Sequence, residues 1–110
     1  MLVKNAPLEK LANAIIDLGQ VPFISFFIKN VENAPVSQMV GKFVCQNNFN
    51  NILRLAKELK GNAQGLLIEN MLKLDLSAEK LYTFAKEVKG DYAQMVLDRA
   101  KEIEEENEMI

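Results

Sequence analysis

Three groups of side chains in this 110-residue chain have types or spacings that could do chemistry: carboxylates, a thiol and a periodic set of lysines. Glu102 and Glu106 stand at i, i+4, which puts two carboxylates on one side of a helix. Such a pair holds a cation weakly, and a solvated helix end is the simpler account. Cys45 is the single cysteine. A reactive thiol needs a base or a positive charge beside it, and Lys42 is the obvious candidate. The plainer expectation is a half-buried small side chain. Histidine is absent, which removes the commonest general base, the Ser-His-Asp arrangement and most zinc sites. No GxxxxGK[ST] loop occurs, and no GxGxxG follows a strand. The expectation is therefore no catalytic residue, no metal ligand and no cofactor: a protein that is not an enzyme.

The lysines recur. Lys29, Lys57 and Lys86 are equivalent under the repeat described below, as are Lys4, Lys60 and Lys89. On stacked hairpins they would form a stripe stepping by about 10 Å, one helix-packing distance, and could contact phosphates. Lysine near a helix C-terminus also complements the helix dipole, and Glu58, Glu87 and Glu32 dilute the stripe. The run Asn47-Asn48-Phe49-Asn50-Asn51 has side chains able to read base edges. No equivalent position recurs in the other units, so a loop with a helix N-cap explains it better.

These residues must be positioned by helices. Asn5, Asn33, Asn62 and Asp91 are 28, 29 and 29 residues apart and read as helix N-caps, because their side-chain oxygens accept free amides of a first helical turn. Pro7 and Pro35 follow two residues later, where a missing N–H costs little. Leu55-Ala56-Lys57-Glu58-Leu59-Lys60-Gly61 aligns with Phe84-Ala85-Lys86-Glu87-Val88-Lys89-Gly90, and Phe27-Ile28-Lys29-Asn30-Val31-Glu32 is a diverged first copy.

Each unit divides into two helices. The first helices, A, bury Leu8, Leu11, Ala12, Ile15 and Ile16; Val36, Met39, Val40, Phe43 and Val44; Leu67, Ile68, Met71 and Leu72. They end at Gly19, at Asn47 and near Asp75. The second helices, B, start near Pro22, Asn48 and Ser77. They bury Ile24, Phe27, Ile28 and Val31; Ile52, Leu55, Ala56 and Leu59; Leu81, Phe84, Ala85 and Val88. Gly61 and Gly90 stop the last two. A seventh helix runs from about Tyr92, with Met95, Val96, Ala100 and Ile103 inward. The chain reads as one all-α domain, an α-solenoid of three tandem helical hairpins (units 5–32, 33–61 and 62–90) plus a capping helix over 91–110.

Asn5-Ala6-Pro7-Leu8-Glu9-Lys10-Leu11, Ala14-Ile15-Ile16-Asp17-Leu18-Gly19 and the Phe84–Gly90 segment resemble short α-solenoid repeats of bacterial and phage-type proteins. The resemblance spans most of the chain. Its motifs are structural: a cap, an apolar stripe and a glycine stop. It implies a binding scaffold and carries over no catalytic or ligand residue.

The most specific functional sign comes from aligning the units. Phe23 aligns with Asn51 and Lys80, Phe26 with Arg54 and Thr83, and Leu18 with Gln46 and Asp75. Polar partners mark solvent-facing positions, so the first unit should expose an aromatic patch, which usually means a partner surface. Two alternatives are that Met1-Leu2-Val3 folds over the patch, or that the first unit packs differently because it is terminal.

Charge narrows the classes further. Residues 1–101 carry all 13 basic and ten acidic residues, a net +3, whereas 102–110 carry five Glu and no base. A body charge that small does not itself imply nucleic acid. The longest apolar stretch, Val21 to Ile28, is too short to span a bilayer, Met1–Asn5 lacks a signal-peptide run, and a lone cysteine suits a reducing cytoplasm. The reading is a cytoplasmic module binding a protein through Phe23, Phe26 and Leu18, or through a concave B-helix face, with homodimerisation as one version. The rivals are a nucleic-acid binder using Lys29, Lys57, Lys86, Lys60 and Lys89, and a phage-type inhibitor of a nucleic-acid enzyme whose 102–110 tail imitates phosphate charge.

Overall fold

The computed structural model describes residues 5–88 and 90–108, with side chains over 8–88 and 90–106. Within them lie seven α-helices and no strand: α1 (Asn5–Leu18), α2 (Val21–Asn30), α3 (Val36–Gln46), α4 (Phe49–Glu58), α5 (Gly61–Met71), α6 (Ala78–Glu87) and α7 (Ala93–Glu108). The fold is all-α, as the periodicity requires.

The B helices keep the repeat most faithfully. α2, α4 and α6 are each 10 residues long. Each closes on an equivalent residue, where the amides of Val31, Leu59 and Val88 donate to the carbonyls of Phe27, Leu55 and Phe84. Asn48 caps α4 by accepting from the Asn51 amide at 2.9 Å, and Ser77 caps α6 by accepting from the Lys80 amide at 3.3 Å. Pro22 occupies the first turn of α2, where it forfeits no helical bond.

The A helices begin differently from expectation. Asn33 is not a cap: its φ is 63°, a left-handed turn that asparagine tolerates, and α3 is entered from Pro35 with no side-chain cap. Asn62 lies inside α5, because Gly61, at φ 63°, turns the chain directly from α4 into α5. Asp91 sits in the turn closed by the Ala93 amide on the Gly90 carbonyl, at 3.2 Å. The fourth expected cap, the side chain of Asn5, lies outside the described residues. Gly19, at φ 71°, does end α1.

α1 lies against α2 and α3, α3 against α5, α2 against α4, and α4 against α5; α7 makes the most extensive contact, with α6. The molecule measures 55 × 24 × 23 Å. The inward B-helix residues are buried as their spacing requires, apart from Val31, which is half-buried. So are Ala12, Ile15 and Ile16 of α1, Met39, Val40, Phe43 and Val44 of α3, and Leu67, Ile68 and Met71 of α5, while Leu8, Val36 and Leu72 are half-buried. Gln64 is the buried polar link between α4 and α5, its Nε2 donating to the Ala56 carbonyl at 2.8 Å.

Two expected core residues are exposed: Leu11 of α1 and Met95 of α7. In α7 the reason is where its neighbour lies. Val96 and Ala100 are buried, and Glu104, on the same side of the helix, accepts from the Tyr82 hydroxyl of α6. Met95 falls on the opposite flank.

Candidate functional site

The exposed apolar side chains concentrate in the first hairpin. Phe23 is 52% exposed, Phe26 63%, Leu18 63% and Leu11 52%. Ala14 is exposed as well. In α1, Leu11, Ala14 and Leu18 stand at i, i+3 and i+7, one stripe of a helix; in α2, Phe23 and Phe26 stand at i and i+3. Isolated exposed leucines are ordinary, but a contiguous apolar face is not.

The repeat shows which way this face points. In the second unit the residues equivalent to Leu11, Ala14 and Leu18 are Met39, Lys42 and Gln46. Met39 is 2% exposed. Lys42 Nζ lies 3.0 Å from Asp17 Oδ1, and Gln46 Nε2 donates to the same oxygen at 3.3 Å. The Lys42 ammonium, with help from Gln46, holds the Asp17 carboxyl below the usual carboxylate range. This stripe of α3 is therefore the one turned toward α1, the preceding A helix.

The B helices agree. In the third unit the residues equivalent to Phe23 and Asn30 are Lys80 and Glu87. Lys80 Nζ sits 5.9 Å from the centroid of the Phe49 ring, and Glu87 Oε1 lies 2.9 Å from Lys57 Nζ. Phe49 and Lys57 both belong to α4, the preceding B helix. The position of Phe23 therefore lies on the edge that meets the preceding hairpin, and the first hairpin has no described residues before it to meet. Leu11 is exposed for the same reason. Phe26 is outward-facing, as its polar partners suggest: Arg54 and Thr83 are both exposed, and Thr83 donates to the Glu79 carbonyl of its own helix. Sequence alignment missed Leu11 and Ala14 because their spacing also fits a buried stripe; the sign available was that all three A-stripe positions are apolar only in the first unit.

The other candidates are dispersed or already paired. Lys29, Lys60 and Lys86 are exposed, and Lys57 is tied to Glu87, while Lys4 and Lys89 lie outside the described residues, as do Met1-Leu2-Val3. Lys57 and Lys60 line a cleft of about 300 Å³, which Asp91 also lines. Acidic groups therefore accompany the two lysines that the fold brings together. The asparagine run serves the start of α4: Asn48 caps it, Asn51 Nδ2 donates to Asn47 Oδ1 at 3.2 Å, and Asn47 Nδ2 donates to the Phe43 carbonyl at 3.0 Å.

Cys45 is exposed rather than half-buried, because α3 turns other faces to α1 and α5, and Lys42 is engaged by Asp17. In α7, Glu102 pairs with Arg99 at 3.0 Å, Glu104 meets Tyr82, and Glu105 and Glu106 are solvated. The acidic segment is thus helical through Glu108. Among the described residues no three His, Cys, Asp or Glu side chains group as a metal site, and no helix is long and apolar enough to cross a membrane. Compared with protein families, curated proteins and solved structures, the chain matches none.

Proposed function

We propose that this protein is a non-enzymatic helical-repeat module that binds a protein partner through the first hairpin, using Phe23 and Phe26 of α2 with Leu18 of α1. The observation that carries this reading is the apolar character and exposure of these positions, whose equivalents are polar and in part engaged with the preceding hairpin. Aromatic anchors on a contiguous apolar face are what protein interfaces concentrate, and burying such a face is favourable in rough proportion to its area. The α-solenoid arrangement of the hairpins, stacking A on A and B on B, belongs to the same proposal. So does a reducing cytoplasmic setting, which suits a chain with one exposed thiol.

The test is capture from source-cell lysate, with and without nuclease, using the wild type and a Phe23→Asp/Phe26→Asp variant. A protein that survives nuclease and is lost with the variant, while the variant's helical circular dichroism is unchanged, supports the reading. Recovery of nucleic acid that the variant does not affect overturns it in favour of the lysines. An unfolded double variant places the two rings in the core and overturns it as well.

A further inference from the structure

We propose that the face of the first hairpin, which no described residue covers, takes the same face of a second copy of this chain, across a two-fold axis. This rests on the reading above and names the occupant.

The face continues an interface that the molecule already contains. Leu11, Ala14 and Leu18 hold the positions through which α3 packs on α1. Phe23 and Asn30 hold the positions through which α6 meets α4. A surface with this register fits another helical hairpin better than a small ligand or an extended strand.

Its chemistry admits its own image. Leu11, Ala14, Leu18, Phe23 and Phe26 are uncharged, and the exposed Lys10 and Lys29 stand at the margins of the two stripes, so the centre of the face sets no like charges against its own image. Asn30, the polar member of the α2 stripe, donates one N–H of its Nδ2 to the Phe26 carbonyl at 2.9 Å, which leaves its second N–H and its oxygen free to bond across the contact.

The far end of the molecule rules out the other self-arrangement. Head-to-tail stacking would press this apolar face against α7, where Glu102, Glu105 and Glu106 are exposed. Desolvating those carboxylates against leucine and phenylalanine is costly. Head-to-head contact avoids it and closes the assembly at two copies.

Area sets the strength. Two helices about 10 Å apart, presenting some three turns each, offer on the order of 400 Å². That is about half of what one partner contributes to a standard stable interface. An interface of that size is at most weak, so the dimer is concentration-dependent.

The experiment is sedimentation velocity on the full chain from about 1 to 500 μM, wide enough to catch the weak association of an interface below standard size, beside the lysate capture already described. The expected result is a weight-average mass rising from the monomer's 12.4 kDa toward twice that and levelling there. Leu18→Asp and Phe26→Asp should each hold the mass at the monomer value with helical content intact, whereas Glu105→Lys should leave association unchanged. Growth beyond two copies would mean head-to-tail stacking and overturn the proposal. A wild-type monomer throughout, with a captured protein lost on Phe23→Asp/Phe26→Asp, would give the face to another protein: the second-copy inference fails and the functional reading stands. A monomer that captures nothing removes both. A monomer whose melting temperature falls on Leu2→Asp/Val3→Asp would give the face to the chain's own amino-terminal segment, again overturning self-association.

Discussion

The two ends of the molecule are finished differently. At one end α6 is covered by α7, which buries Val96 and Ala100 and turns Glu102, Glu105 and Glu106 to water. At the other, α1 and α2 present exposed leucines and phenylalanines at positions whose equivalents in α3 and α6 include Gln46, bound to Asp17 of α1, and Lys80, over the Phe49 ring of α4. Repeats whose apolar faces are shared between neighbours need a polar cap at each terminus to stay soluble. One end has such a cap among the described residues. The other has a face with interior chemistry and surface exposure, and that mismatch is what the proposed partner-binding role rests on.

The widest test of this contrast sets two phenylalanines against each other. Phe84 is fully buried beside Phe49, their ring centroids 6.2 Å apart. Phe84→Ala should cost about 3–5 kcal/mol in urea denaturation at low protein concentration. Phe23→Ala under the same conditions should stay within about 0.5 kcal/mol of wild type. If the two losses are equal, the first hairpin's face is core and the contrast collapses.

A smaller effect belongs to the covered interior. Gln64→Leu removes the donor to the Ala56 carbonyl and should cost about 1–3 kcal/mol, because that oxygen is left buried without a partner. Smaller again, Asn48→Ala should cost about 1 kcal/mol through the lost cap. Asn62→Ala should be within a few tenths of neutral, since Asn62 lies inside α5 and caps nothing. Equal losses at Asn48 and Asn62 would restore the asparagine-cap reading of the unit boundaries. Chemical denaturation midpoints would decide both comparisons.

The smallest effect lies at the seam between α1 and α3. The Asp17 carboxyl has a folded pKa below its unfolded value, first because Lys42 pairs with it and then because Gln46 donates to it. Its contribution is therefore present above the ordinary aspartate pKa of about 4 and is lost as pH falls through the lower folded value. The gap in denaturation midpoint between wild type and Asp17→Asn should shrink on acidification below about pH 4. A gap that is flat with pH would show that the pair does not hold the seam.

The B helices were the most legible elements. Their periodicity places Leu55, Ala56, Phe84 and Ala85 inside, and Asn48 and Ser77 cap them through local bonds that depend on neighbours three residues away. The A-helix starts were misread for a related reason. Asn33 and Asn62 have the chemistry of caps, but asparagine and glycine also suit left-handed turns, and the connection between hairpins decides which use prevails.

The sequence by itself determined the number and type of helices and most of the inward residues, because these depend on periodicity along one helix. It also singled out Phe23, Phe26 and Leu18, because a departure from the other copies is visible without coordinates. Only the tertiary structure decided which neighbour each stripe meets. Leu11 and Met39 occupy the same position in the same pattern. One is 52% exposed and the other 2%, because burial depends on whether another helix lies alongside, and periodicity within a single helix carries no information about that.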